Sequence, residues 1–122
     1  MEPLRRQLTD QKMSRLSKVI NLIRQHDSEI PGQVIATFLY VAAHDNGGKG
    51  CHKAALEEDL NLSTSSCSRA TDWLARKHQL SHKAGMQLID KTLDPTNRRR
   101  VVLSLTRKGQ DLVNLIKDEL YE

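Results

Sequence analysis

Leu60-Asn61-Leu62-Ser63-Thr64-Ser65-Ser66-Cys67-Ser68-Arg69-Ala70-Thr71-Asp72-Trp73-Leu74 is the stretch on which the reading of this chain turns. Lys53 to Leu60, just before it, has the spacing of a short helix burying Leu56 and Leu60. Asn61-Leu62-Ser63 interrupts that helix, and Ser63 is suited to cap a second one running from Thr64 to Lys77. On the second helix Cys67, Ala70, Thr71 and Leu74 recur at i, i+3, i+4 and i+7, a buried stripe, while Ser65, Ser66, Arg69, Asp72 and Arg76 fall largely on the other face. Two helices joined by so tight a turn, the second with a small, polar outer face, make a helix-turn-helix.

Working outward, the flanking segments supply a frame for that unit. Towards the N-terminus, Leu8, Met13, Leu16, Val19, Ile20 and Ile23 predict an amphipathic helix from Leu4 to about Gln25. Ile30-Pro31-Gly32 breaks it. Gln33 to Ala43 is more uniformly apolar and so belongs at the centre of the core. Asn46-Gly47-Gly48-Lys49-Gly50 is a loop. Towards the C-terminus the period changes. Met86 to Leu93 is an imperfect strand, Asp94-Pro95-Thr96-Asn97 a turn, and Arg99 to Leu105 alternates with Val101, Leu103 and Leu105 on one side. Thr106 can cap a last helix carrying Leu112, Val113, Leu115, Ile116 and Leu120. The expected fold is mainly α with a small β-hairpin (α+β), a winged helix-turn-helix in a single domain spanning residues 1–122.

Charge distribution gives the fold a direction. The 122 residues carry 19 Lys and Arg against 15 Asp and Glu, a net charge of only +4. Ten of the basic residues and three of the acidic ones lie between positions 69 and 108. That segment holds the second helix of the unit and the hairpin, so the excess positive charge is concentrated where a polyanion would be met. In a helix-turn-helix the second helix enters the major groove of DNA with its first residues against base edges. Thr64, Ser65, Ser66 and Ser68 are small hydroxyls that permit close approach, and Arg69 can donate two bonds to a guanine edge. Arg76 and Lys77 follow where phosphates are expected. The hairpin contributes Arg98, Arg99 and Arg100 beside its tip, a run of like charge that a narrow, negative minor groove would stabilise. A serine-rich helix start alone is ordinary capping, and an arginine run alone is a solvated surface. Their order along one chain points to double-stranded DNA.

These residues resemble the winged helix-turn-helix proteins of the MarR (multiple antibiotic resistance regulator) family. The resemblance runs through Leu56, Leu60, Leu62 to Arg69, Asp72 and Leu74. It resumes at Asp94 to Arg100 and at Leu105-Thr106-Arg107-Lys108-Gly109, which looks like the family's LT-x-x-G. It covers about residues 30–115. It implies a cytoplasmic transcriptional regulator that binds DNA as a homodimer through its first and last helices, here segments 1–26 and 106–122. The pattern departs from the family's at Asn97, where an Asp usually precedes the paired arginines, and at Trp73, in place of a basic or polar residue. With the chain ending at Glu122, little helix is expected beyond Lys117. A small-molecule effector is compatible with the resemblance, but no residue indicates one.

Other chemistry finds little footing. His78 and His82 lie four apart and Cys51 precedes His52, but no further ligands stand nearby, so no metal is expected. Gly47-Gly48-Lys49-Gly50 lacks the spacing of a phosphate loop. Two cysteines make no disulfide scaffold, and Cys67 reads as a core residue. No apolar run approaches the ~20 residues of a membrane span, and the first six residues have no apolar core of a secretory signal. The expectation is a non-enzyme without cofactor. Two alternatives are a winged-helix protein-interaction module and an architectural or replication-associated DNA-binding protein without repressor activity.

Overall fold

The computed structural model describes residues 2–75 and 85–121. Among these described residues, five helices and one sheet follow in the order α1 (Gln11–Arg24), α2 (Gly32–Ala43), β1 (Cys51–His52), α3 (Lys53–Asp59), α4 (Thr64–Leu74), β2 (Ile89–Asp94), β3 (Asn97–Leu105) and α5 (Arg107–Leu120). The sheet is antiparallel with strand order β1-β3-β2. No helix among the described residues is long and apolar enough to cross a membrane.

The core gathers around α2, whose Val34, Thr37, Phe38 and Val41 are buried. Val34, Phe38 and Val41 share one cluster with Val19 and Ile23 of α1, Leu56 of α3, Cys67, Ala70 and Leu74 of α4, Leu103 of β3, and Leu112 and Ile116 of α5. Two fully buried threonine hydroxyls are satisfied one turn back, Thr37 by the carbonyl of Gln33 at 2.8 Å and Thr71 by that of Cys67 at 2.8 Å. Neither hydroxyl therefore incurs an unmet desolvation cost.

Four boundaries differ from the sequence reading by two residues or more. First, α1 begins at Gln11 rather than Leu4. Asp10 sits in extended conformation and its carboxylate accepts from the Met13 N–H at 3.1 Å, which starts the helix there. Leu4 and Leu8 are exposed. Second, α4 stops at Leu74, because Ala75 turns to extended backbone. The carbonyls of Trp73, Leu74 and Ala75 then accept from the N–H groups of Met86, Leu88 and Gln87. Gly85 makes this possible, since a side chain there would collide with the Ala75 carbonyl. Third, Met86 to Leu88 consequently bond to a helix end, not to a strand, and β2 starts at Ile89. Fourth, β3 starts at Asn97 rather than Arg99. A short strand, β1, was not expected. It pairs Cys51 with Leu103 and His52 with Val102, completing a third strand.

Candidate nucleic-acid interface

The turn between α3 and α4 is built from local chemistry. Asn61 adopts φ 53°, a conformation that asparagine tolerates better than most residues. Its N–H donates to Glu58 and that of Leu62 to Glu57, the paired bonds of a Schellman termination. Ser63 then caps α4, its hydroxyl accepting from Ser66 N–H at 3.1 Å. A buried lysine joins the two helices. Lys53 donates to Glu57 at 2.5 Å and to the Thr64 carbonyl at 3.4 Å, while Glu57 accepts from the Thr64 hydroxyl at 3.5 Å. The start of α4 is thus held from beneath.

On α4, Thr64, Ser65 and Arg69 are exposed, and Ser66 and Ser68 are half-buried. Arg69 donates to the Ser66 hydroxyl at 3.2 Å, which orients the guanidinium along the helix face. Cys67 faces the core, where burial pushes its thiol up from the ordinary value, against the behaviour of a redox sensor. Cys51 is half-buried and its thiol is raised too, first by burial and then by nearby Asp45. Trp73 packs against the core and its indole N–H donates to Asp27 at 2.8 Å, tying α4 to the α1–α2 loop. Arg76, Lys77, His78 and His82 lie outside the described residues.

The hairpin joins α4 at its base. Lys91 of β2 donates to Asp72 of α4 at 2.7 Å, with both side chains largely covered. At the tip the ladder breaks. Leu93 pairs with Val101, but the next residue of β2, Asp94, pairs with Asn97. Three residues of β3 therefore have no partner opposite on β2, and they are Arg98, Arg99 and Arg100, all exposed. A bulge of this kind re-aims side chains and twists the strand locally. Here it falls on the arginine run.

Asp94, the acidic residue nearest those arginines along the chain, is committed to other partners. One oxygen of Asp94 accepts from the Thr96 N–H at 2.9 Å and hydroxyl at 2.8 Å, closing the tip turn. The other accepts from His52 Nε2 at 2.8 Å. The His52 bond, with the two from Thr96, holds the Asp94 carboxyl well below the usual range. Asn97 accepts from the backbone N–H of Arg99 at 3.2 Å, so it shapes the bulge.

Lys53, Glu57, Lys91 and His52 all shape this surface without having been named for it. The Lys53–Glu57 pair was readable as an i, i+4 spacing. The others join residues 19 to 42 positions apart, beyond the reach of any local pattern. A depression of about 580 Å³ between α1 and α5 is lined by Lys18, Asn21, Arg24 and Glu119 and shares no residue with α4 or the hairpin.

Comparison with known proteins places this arrangement. No protein-family model matches the sequence, and neither does any curated protein. Solved structures do match. The DNA complex of MepR from S. aureus is 23% identical over 90% of this chain and 81% of that one, with a TM-score of 0.65. RV1404 from Mycobacterium tuberculosis is 24% identical over 90% of this chain, with a TM-score of 0.64, and the present chain spans 66% of its length. A MarR transcriptional regulator from Methanosarcina mazei is 16% identical over 89% of this chain and 73% of that one, with a TM-score of 0.60. At such identities the likeness is one of backbone architecture: the chain has the winged helix-turn-helix fold seen in MarR-type regulators.

Proposed function

We propose that this protein is a sequence-specific, double-stranded-DNA-binding transcriptional regulator of the MarR type, non-enzymatic and cytoplasmic, acting as a homodimer. The observation that carries this reading is the joint between α4 and the hairpin. A small-residue helix face and an arginine bulge belong to elements bonded to each other through Asp72 and Lys91. In this proposal Thr64, Ser65, Ser66, Ser68 and Arg69 meet the major groove. Arg76 and Lys77 contact phosphates, and Arg98, Arg99 and Arg100 enter the adjacent minor groove. One of the matching structures, MepR, is a DNA complex, which supports the assignment.

The dimer belongs to the same proposal. Within one chain α1 and α5 pack together through Val19, Ile23, Leu112 and Ile116, with Lys18 and Glu119 3.7 Å apart. That leaves Met13 and Leu16 on α1 and Leu115, Leu120 and Tyr121 at the other end exposed. These residues, with segments 1–26 and 106–122, form the intersubunit contact. Two recognition helices would then address half-sites about one helical turn apart.

Binding-site selection from random duplex, followed by affinity measurements over a salt series, tests the proposal. A recovered two-fold site bound well above random duplex is expected. Binding without preference would replace the regulator by an architectural or replication-associated protein. Absence of binding at low salt would leave the winged helix as a protein-interaction module.

A further inference from the structure

His52 stands on β1, the strand no sequence pattern announced, yet it reaches the far strand of the sheet. β1 and β2 are separated by β3, and strands in a sheet lie about 4.8 Å apart. A bond from His52 to Asp94 therefore spans the full width of the sheet, across Val102, which pairs with His52 on one side and Thr92 on the other. Directly paired residues share a face. His52, Val102 and Thr92 are thus on the outer face. Lys91, one residue from Thr92, pairs with buried Leu103 on the inner face and meets Asp72 there. β2 is gripped from both sides: at its base by α4, at its end by β1.

The place of the second grip matters more than its strength. Asp94 is the residue at which the ladder skips to Asn97 and the three arginines leave it. Its carboxylate is shared between the turn at Thr96 and the imidazole of His52, with Nε2–H as donor because an ionised carboxylate only accepts. We infer that His52 is a positioning residue for the arginine bulge. It acts through Asp94 to fix the direction in which Arg98, Arg99 and Arg100 project from β3. This rests on the DNA-binding reading.

The test uses the full chain with His52→Ala and His52→Gln, the latter keeping an N–H donor. Affinity for mixed-sequence duplex is measured across a salt series, alone and combined with Arg98, Arg99 and Arg100 all changed to Ala. Loss of a hydrogen bond to a charged acceptor predicts roughly tenfold weaker binding for His52→Ala. The salt dependence should flatten by about one as wing contacts are lost. His52→Gln should recover most of the affinity, and His52→Ala should have no further effect where the arginines are already gone. Amide exchange of residues 94–101 should quicken in His52→Ala while that of 64–74 stays unchanged. Equal losses with and without the arginines, or wing exchange identical to wild type, would overturn the inference while leaving DNA binding intact. Failure of the wild-type chain to bind any duplex would instead remove the reading beneath it, and this role with it.

Discussion

The hydroxyl of Thr106 accepts from the Gly109 N–H at 3.0 Å and donates to the Gln87 carbonyl at 2.7 Å, so one side chain both caps α5 and fastens it to the segment leading into β2. Single side chains on the proposed DNA surface have similarly separable duties. Arg69 lies on the exposed face of α4, whereas Arg99 lies in the bulge. Arg69→Ala should relax base preference at one position, costing about 1–3 kcal/mol there. Arg99→Ala should weaken all duplexes alike and lower the salt slope by about one. Mobility-shift titrations on matched and mismatched sites would separate the two. A pH effect sits at this scale as well. The Tyr40 hydroxyl donates to Asp59 at 2.6 Å, and that bond, followed by burial, pushes the phenol up to about 12. A raised folded-state value stabilises the fold fully below pH ~10, the ordinary phenol value, and the contribution fades as pH climbs through the folded value. Subtracting the ultraviolet phenolate titration of Tyr40→Phe from that of wild type should isolate a transition near 12. A midpoint at the ordinary value would mean that the contact to Asp59 does not persist in solution.

Elements here are placed as much by what their ends touch as by their internal pattern. The C-terminus of α4 hands three carbonyls to residues 86–88, and the N-terminus of α5 starts where Leu88 accepts from the Thr106 N–H at 3.1 Å. Gly109 lies at this junction, and a Cβ on it would run into the Leu88 carbonyl. Glycine-to-alanine in a helix ordinarily gains about 1 kcal/mol. Forcing apart a hydrogen-bonded backbone junction costs about 1–3 kcal/mol or more, so the clash wins. Gly109→Ala is expected to lower the midpoint of urea unfolding, and a raised midpoint would show that α5 can shift to make room. The glycine of the LT-x-x-G stretch thus has a packing reason, and the threonine before it a hydrogen-bonding one.

Across the whole molecule, basic residues are densest from position 69 to 108, while α1 and α5 carry exposed apolar side chains at Met13, Leu16, Leu115 and Leu120. Leu16 and Leu115 are 44% and 53% exposed in the single chain, so replacing them should spare its core. The Leu16→Glu, Leu115→Glu double variant is expected to stay folded and sediment as a monomer. Wild-type melting temperature should rise with protein concentration, as mass action requires of a dimer, and that of the variant should not. A wild-type chain that sediments as a monomer over the same range would withdraw the dimer from the proposal.

Much of this was legible in one dimension, because periodicity and capping act over one or two helical turns. The buried stripe of Cys67, Ala70, Thr71 and Leu74, the cap at Ser63 and the cap at Thr106 could be read directly from spacing. So could the central place of α2, from its uniform hydrophobicity. The helix ends were less legible. Asp10 outcompeted an apolar pattern that continued upstream, and α4 ended where a distant segment took its carbonyls. The third strand, the ladder break that singles out Arg98 to Arg100, and the grips at Lys91 and His52 were decided by tertiary structure alone. Each depends on groups that only folding brings within hydrogen-bonding distance, and no spacing along the chain encodes that proximity.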